Sequence, residues 1–147
     1  MSVERVLAQA AAAVAAARAA PLSVKKAWLA ALLVDQAADA LFAATLGGQG
    51  EDILAFRAAL AAGSEPLALV FGVAGRGFDL VTEAVEVPVA DYPSLGVEDF
   101  MVSLYNNRTV QRVRIALPDG ARRDVHEVLA AALEALQSTP PIPRPGS

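Results

Sequence analysis

The sequence predicts a single α+β domain with three N-terminal helices, an antiparallel sheet of four to five strands, and a C-terminal helix followed by a proline-rich tail. Two observations support this prediction. Of the 147 residues, 33 are alanine, and most of these precede Gly63, where apolar residues recur at helical spacing. After Pro66 the apolar residues alternate with polar ones, which is the period of β-strands. Residues 1–137 are expected to form the domain, and residues 138–147 the tail.

The three N-terminal helices are predicted from apolar stripes and their boundary residues. The first is expected over residues 3–20 and ends before Pro21, because proline interrupts a helix. The second is expected to begin at Ser23, whose hydroxyl can accept a hydrogen bond from a free backbone amide, and to run to about Thr45. The third is expected over residues 51–63, with acidic residues in its first turn and glycine at its end.

The strands are predicted from short apolar runs and alternating segments. A turn with Arg76 at its tip joins the first two strands, and Pro118, Asp119 and Gly120 form a second turn. Since Pro88 has no amide to donate, it places its strand at an edge or a bulge of the sheet. In that strand the valines at 81, 85, 87 and 89 alternate with other residues, so one face is buried. The predicted strands cover residues 67–73, 80–90, 109–117 and 121–123.

The segment 97–105 fits both a helical stripe and an alternating strand. Asn106 and Asn107 follow it directly, and two asparagines suit a tight hairpin turn that requires positive φ angles. We therefore favour a strand here, which would pair with the strand after the turn.

The C-terminal helix is expected to begin after Asp124, with Glu127 three residues later completing a capping box. Its apolar residues form one stripe, which predicts a buried face: Val125, Val128, Leu129, Ala132, Leu133 and Leu136. The tail contains four prolines and is expected to be extended.

Composition excludes several classes of function. The chain has no cysteine, one histidine and a net charge of -4, which disfavours zinc, iron–sulfur and thiol chemistry, so we expect no metal and no cofactor. The acidic balance disfavours nucleic acid as a partner. Residues 24–46 are apolar but contain two lysines and two aspartates, which disfavours insertion in a membrane. The expected location is the cytoplasm.

The second helix is apolar on two sides, which predicts that it is buried on both. Leu29, Leu33 and Leu41 form the main face, whereas Trp28 lies on the other side with Asp35 and Asp39. We interpret Trp28, Asp35 and Asp39 as an interface between helices or between two copies of the chain, with the acids meeting arginines or water. The alternative is a small pocket or metal site between Trp28 and the two acids. A homodimer is the favoured assembly.

A second candidate site consists of arginines on one face of the sheet. Residues 64–107 carry a net charge of -6, and residues 108–147 a net charge of +2. Strand alternation places Arg108, Arg112 and Arg114 together, and the following turn adds Arg122 or Arg123. We select Arg123 as the fourth residue of a site that binds an anion or a protein partner. The interpretation favoured over such a site is that these arginines pair with acidic residues of the same chain or of a second copy.

The leading functional hypothesis is a small, acidic, dimeric adaptor or chaperone-like module that binds another protein. Enzymatic activity is left open and is the less favoured interpretation, because no nucleophile, base and oxyanion donor come together in the sequence. The alternative is an enzyme that binds a small molecule or anion through Arg112 and Arg114. In that hypothesis His126 transfers a proton.

Overall fold

The computed structural model describes residues 2–46, 53–87 and 108–139, in which five helices and three strands form an α+β fold. The α+β class is therefore confirmed. Four N-terminal helices replace the predicted three, and within the described residues three strands replace the predicted four to five. In chain order the elements are α1 (Val3–Ala19), α2 (Val24–Leu46), α3 (Ile53–Gly63), α4 (Glu65–Ala74), β1 (Asp79–Val87), β2 (Arg108–Ala116), β3 (Arg122–Asp124) and α5 (Val125–Gln137).

The segment predicted as the first strand, residues 67–73, is helical and belongs to α4. The Ser64 hydroxyl accepts a hydrogen bond from the Leu67 amide, so Ser64 caps the helix. Pro66 lies in the first turn, where its missing amide costs nothing. The strand prediction was wrong because a short apolar run has no period that separates a buried strand from a buried helix. The boundary residues, serine followed by proline, carried the helical signal.

The helical layer is built around α2, which contacts α1, α3, α4 and α5. Its most buried side chains are mainly alanines, and the two buried residues of α1, Ala10 and Ala17, are also alanines. Such small side chains allow helix backbones to approach closely. The predicted main face of this helix is partly wrong, because Leu29 is 48% exposed. The buried residues of α2 are Ala27, Ala30, Ala31, Val34, Ala37, Ala38, Leu41 and Phe42.

The three described strands form an antiparallel sheet in the order β1-β2-β3. A tight turn joins β2 to β3, as predicted. The Gly120 amide donates to the Leu117 carbonyl, and Gly120 has a φ of 90°, which glycine adopts without steric cost. The Ala121 amide donates to the Asp119 carboxylate, which fixes the turn further.

The helices pack against the sheet face that carries Val113 and Ile115, both of which are buried. The register places Leu80 opposite Ile115 and Thr82 opposite Val113. The alternating valines of β1 therefore lie on the other face, which we call the outer face. The prediction that β1 has two distinct faces holds, but the row of valines does not face the helical core. Because side chains alternate strictly along a strand, the register alone decides this.

The C-terminal helix α5 follows β3 without a linker. Asp124 is the last residue of β3 and the N-cap of α5, since its carboxylate accepts a hydrogen bond from the Glu127 amide. Asp124 is thus confirmed as the N-cap, and the helix ends at Gln137, directly before the predicted tail. The predicted face is buried as well, apart from Leu133, which is partly buried against the core.

Some predictions concern residues outside the described ranges. They are the hairpin at 97–107, the role of Pro88 and the conformation of the tail from Pro140 onward. Within the described residues one segment, Val24–Ala44, is long and apolar enough to cross a membrane by length and composition. Of that window, 44% is buried inside the fold, as in core helices that pass the same test.

Candidate functional site

The register of the sheet decides which arginines share the outer face. Arg112 and Arg114 lie on this face of β2, and Arg122 lies beside them because it pairs with Ala116.

Arg123 pairs with Ile115, so its backbone position belongs to the opposite face. By register, Arg122 is their neighbour on this face, although Arg123 lines the same pocket as Arg112 and Arg114. The length of the turn between β2 and β3 sets this register. The Leu117 amide donates to the Ala121 carbonyl across a turn of three residues. Arg108 begins β2 opposite Val87.

Glu83 is the anionic partner of two of these arginines. Its Oε1 lies 3.3 Å from Nη1 of Arg114, and its Oε2 lies 3.5 Å from Nε of Arg122. Arg114 also donates to the backbone carbonyl of Arg122 at 3.1 Å, which ties β2 to β3 through a side chain. Both guanidinium groups are thus held by the chain's own acceptors, which is the internal pairing that the sequence favours.

Arg112 is held much more loosely than Arg114. Its nearest carboxylate oxygen is Oδ1 of Asp124, which lies 4.0 Å from Nη1, beyond hydrogen-bond range. The Arg112 side chain is 41% exposed, against 26% for Arg114. Arg123 pairs with Glu65 at 2.5 Å, at the start of α4. Among these described arginines, Arg112 has the most donor capacity left for an external acceptor.

These side chains surround a pocket of about 310 Å³, which we call the arginine pocket. Two polar atoms of its lining, Nε of Arg122 and Oδ1 of Asp124, are buried and have no hydrogen-bond partner among the described residues. Nε of Arg122 still has the Glu83 carboxylate 3.5 Å away, whereas Oδ1 of Asp124 needs a donor, which a water or a donor group of a partner would supply. The pocket is lined by Val85, Arg112, Arg114, Arg122, Arg123, Asp124 and Glu127.

The two acids predicted at an interface, Asp35 and Asp39, both bind Arg57 of α3. Nη1 of Arg57 lies 2.9 Å from the Asp39 carboxylate, and Nη2 contacts the Asp35 carboxylate. The guanidinium also lies 4.2 Å from the centre of the Phe71 ring. Burial lowers the pKa of Arg57, but hydrogen bonds and attraction from Asp35 and Asp39 outweigh it, and the pKa is raised above its ordinary value.

Arg57 was not identified as a site residue from the sequence, although a signal for it existed. It is the sole basic residue between Lys26 and Arg76, and two aspartates spaced four apart on a helix repel each other unless a cation serves them. The contact lies between helices of one chain. No group of three or more histidine, cysteine, aspartate or glutamate side chains suited to a metal occurs in the described residues.

Trp28, the third predicted interface residue, also contacts its own chain. The Arg76 guanidinium lies 5.0 Å from the centre of the Trp28 ring, within the range of a cation–π interaction. Arg76 lies in the loop between α4 and β1, so the predicted turn exists but joins a helix to a strand. The two side chains help to line a pocket of about 210 Å³, which we call the Trp28 pocket, together with Val24, Val73, Phe78, Asp79 and Leu80.

His126 lies in the first turn of α5 with one ring nitrogen engaged. Its Nε2 is 3.0 Å from the backbone carbonyl of Pro21, so this nitrogen carries the proton and donates it. Its Nδ1 is buried and has no hydrogen-bond partner among the described residues. The ring, together with Arg112 and Asp124, lines a third pocket of about 260 Å³.

No protein-family model, curated protein or solved structure matches this chain at a significant level. Function is therefore inferred from the geometry of the chain's own residues.

The balance of charges around the arginine pocket limits the class of ligand that the pocket can bind. Four guanidinium groups line the arginine pocket, and so do the carboxylates of Asp124 and Glu127. In addition, Glu83 pairs with two of the arginines, and Glu65 pairs with a third. The positive and negative charges balance, so a multiply charged anion would gain little and would meet carboxylates on entry. A single carboxylate suits the one loosely held guanidinium, because the two groups form paired hydrogen bonds.

Proposed function

We propose that this chain is a non-enzymatic protein-binding module that acts as a homodimer and binds a carboxylate side chain of a protein partner in the arginine pocket. The observation that carries the proposal is the loosely paired Arg112 beside that pocket, with 41% of its side chain exposed and its nearest carboxylate 4.0 Å away. Arginine is enriched at protein interfaces because its fork of donors combines with an apolar stem.

A protein partner is favoured over a free small molecule by the apolar residues next to the pocket. Val85 and Val110 lie opposite each other on the outer face, and each is half-buried. This valine pair adjoins Arg112, which is two residues from Val110 on the same face of β2. A partner could therefore place an apolar side chain on the valines and a carboxylate on Arg112. Interfaces typically combine such an apolar centre with a polar rim.

A peptide that alternates valine and glutamate tests this site. We expect it to bind, and we expect Arg112→Gln to abolish binding while lowering the free energy of unfolding by less than about 0.5 kcal/mol, since exposed ion pairs contribute little. Arg114→Gln is the matched variant. It should cost about 1 to 2 kcal/mol, because it removes one of the two partners of Glu83 and leaves the part-buried carbonyl of Arg122 without its side-chain donor.

Calorimetric titration measures binding, and denaturant unfolding measures stability. Equal stability losses in the two variants would contradict the difference in pairing. Binding of the peptide that survives Arg112→Gln would refute the assignment of the site.

The proposed dimer uses the apolar residues exposed around the start of α2. Leu22, Val24 and Leu29 are 53%, 38% and 48% exposed, whereas Asp35 and Asp39 are engaged by Arg57 within the chain. Leu29→Glu should convert a dimer into a monomer at concentrations of tens of micromolar, because a charge would enter an apolar contact. Light scattering measures the mass. Leu54→Glu is the control, since Leu54 is 78% exposed on α3 and lies outside the proposed contact.

A monomer mass for the unmodified chain would refute the dimer. A dimer that persists in Leu29→Glu, or that is lost in Leu54→Glu, would refute its location.

One observation favours a second candidate function, proton transfer by His126 in an enzyme that binds a small anion. The free Nδ1 and the carbonyl-bound Nε2 give the ring the arrangement of a general base, and Arg112 lines the same pocket. Inorganic phosphate distinguishes the two functions. Tighter binding of phosphate than of the peptide, with a shift of the His126 ring resonances at constant pH, would favour the second candidate.

A further inference from the structure

Strand β2 is longer than its neighbour β3, so the two strands do not cover each other along their full length. β2 has nine residues and β3 has three. On one side, β1 pairs with every residue of β2. On the other side, β3 pairs only with the residues from Arg114 to Ala116. Within residues 2–46, 53–87 and 108–139, no strand therefore pairs with this second side of residues 108–112, which we call the β2 edge.

The turn between β2 and β3 shows which backbone groups point out from the β2 edge. The Leu117 amide donates to the Ala121 carbonyl, so the amide of Leu117 faces β3. Backbone groups alternate between the two sides of a strand, and the register of β2 is unbroken. Thr109 and Gln111 therefore turn their amides and carbonyls away from β1. Both residues are exposed, and no hydrogen bond from another described residue reaches these outward groups.

The pocket of about 260 Å³ beside His126 lies along the β2 edge, and we call it the edge pocket. The chain leaves the line of β3 at Asp124, where α5 begins, so this pocket lies where a longer β3 would continue. Its lining combines three consecutive residues of β2 with residues from the start of α5 and from the loop before α2. They are Val110, Gln111, Arg112, Asp124, His126 and Pro21.

The charges of the strands indicate what kind of segment pairs with β2. The sequence of β2 has three arginines and no acid, whereas β1 has three acids, no base and three valines. The chain thus already pairs β2 with an acidic, valine-rich strand. A second copy would bring another basic β2 to the edge, and like charges on paired strands repel each other. An acidic segment of another protein is the better match.

Arg112 is the side chain that an acidic strand at this edge would meet. Its register partner on β1 is Glu83, but the Glu83 carboxylate binds Arg114 and Arg122 instead. The carboxylate nearest to Arg112 belongs to Asp124, 4.0 Å away at the end of β3. Arg112 lines both the arginine pocket and the edge pocket, so its guanidinium is available from the side of the β2 edge.

We propose that an extended acidic segment of the protein partner adds to the sheet as a strand at the β2 edge, antiparallel to β2. Its backbone pairs with Thr109 and Gln111, and one of its carboxylates binds Arg112. Strand addition to a sheet edge is a recurrent mode of peptide recognition, because the edge presents ready backbone donors and acceptors. The inference rests on the proposed function for the carboxylate contact, and it adds the conformation of the partner and the backbone groups that hold it.

The peptide that alternates valine and glutamate tests this pairing without any change to the protein. With its glutamates on the face of Arg112, its valines lie opposite Thr109 and Gln111, and only the valine amides point at β2. N-methylation of the valine amides should therefore weaken binding to the full-length protein at least about tenfold, because it removes backbone donors. N-methylation of the glutamate amides is the matched control. It should change the affinity less than about twofold, since those amides face away from β2.

A pair of variants tests the same contact from the side of the protein. Gln111→Pro removes an amide that faces away from β1, a position where a strand tolerates proline. It should weaken binding of the peptide about tenfold, whereas Gln111→Ala keeps the amide and should bind as the unmodified protein does. Circular dichroism shows whether Gln111→Pro is folded, and the methylated peptides decide the question if it is not. In the unmodified protein, hydrogen exchange of the Gln111 amide should slow at least about tenfold when the peptide binds.

The outcomes separate this inference from the proposed function. If the unmethylated peptide does not bind, both are refuted. If it binds and requires Arg112, but the two methylated peptides bind equally well or in the reverse order, the proposed function stands and the antiparallel strand addition is overturned. A Gln111 amide that already exchanges slowly in the free protein would show that the edge is paired within the chain, which also overturns it. A dimer that the peptide dissociates would place a second copy at the β2 edge and overturn the assignment to a partner.

Discussion

Replacing Ala31 by leucine should destabilise the folded chain by about 3 kcal/mol, because the closely packed helices leave no room for three further carbon atoms. Ala31 is 1% exposed in the N-terminal half of α2, where most of the buried neighbours along the helix are also alanines. Alanine and leucine are both strong helix formers, so helix propensity does not explain a loss of this size. The steric effect therefore dominates.

Two further substitutions sharpen this expectation. Ala12→Leu adds the same atoms at an exposed position of α1 and should be nearly neutral. Leu29→Ala removes a large side chain that is 48% exposed, and it should cost less than about 1 kcal/mol. Denaturant unfolding measures all three. If Ala31→Leu were no more harmful than Ala12→Leu, the alanine-based packing would be refuted.

Arg57→Leu should have the second largest effect, a loss of about 2 to 3 kcal/mol, since it leaves two carboxylates on adjacent turns of α2 without their cation. The side chains of Arg57 and Asp35 are 22% and 23% exposed, but that of Asp39 is 47% exposed, so the loss should fall below that of a fully buried pair. The contact of the guanidinium with the Phe71 ring is lost as well.

A triple variant separates charge from packing in this cluster. Adding Asp35→Asn and Asp39→Asn to Arg57→Leu should recover most of the stability, because the stranded charges disappear. Arg18→Gln, at an exposed position of α1, is the control for a general loss of positive charge. Failure of the triple variant to recover would show that the cost lies in lost packing instead of unpaired carboxylates.

The sign of the pH dependence follows from the raised pKa of Arg57. A base whose pKa is raised on folding contributes its full stabilisation below its ordinary pKa and loses it only as the pH rises through the higher, folded value. For an arginine that window lies in strong alkali. The cluster should therefore stabilise the fold with its cation charged throughout the neutral and mildly alkaline range.

The elements that the sequence predicts well are those specified by neighbouring residues. Asp124 caps α5 through an amide three residues away, and the turn at Gly120 depends on φ at a single glycine. Ser23 likewise accepts a hydrogen bond from the Lys26 amide at the start of α2. Each of these interactions closes within one turn of chain, so its residues appear together in the sequence.

The elements that were predicted wrongly depend on contacts between distant residues. The helical state of α4 is decided partly by its burial against α2 and α5, which a run of seven apolar residues does not reveal. The exposed position of Leu29 follows from alanines that bring other helices to the opposite side of α2. For the candidate site, the pairing of Arg114 with Glu83 spans 31 residues and follows from the strand register. Charge counting predicted an arginine face but not which arginine stays loosely paired.

The direct passage from β3 into α5 has a consequence for changes in chain length. Because Asp124 ends the strand and caps the helix, no residue between the two elements can absorb an insertion. One residue added after Asp124 would rotate α5 by about 100° about its axis and turn Leu129 and Leu136 away from the core. The same insertion beside Gly120 would only lengthen an exposed turn. The β2–β3 turn can therefore accept a tag, a label or an inserted domain. The junction between β3 and α5, four residues later, cannot.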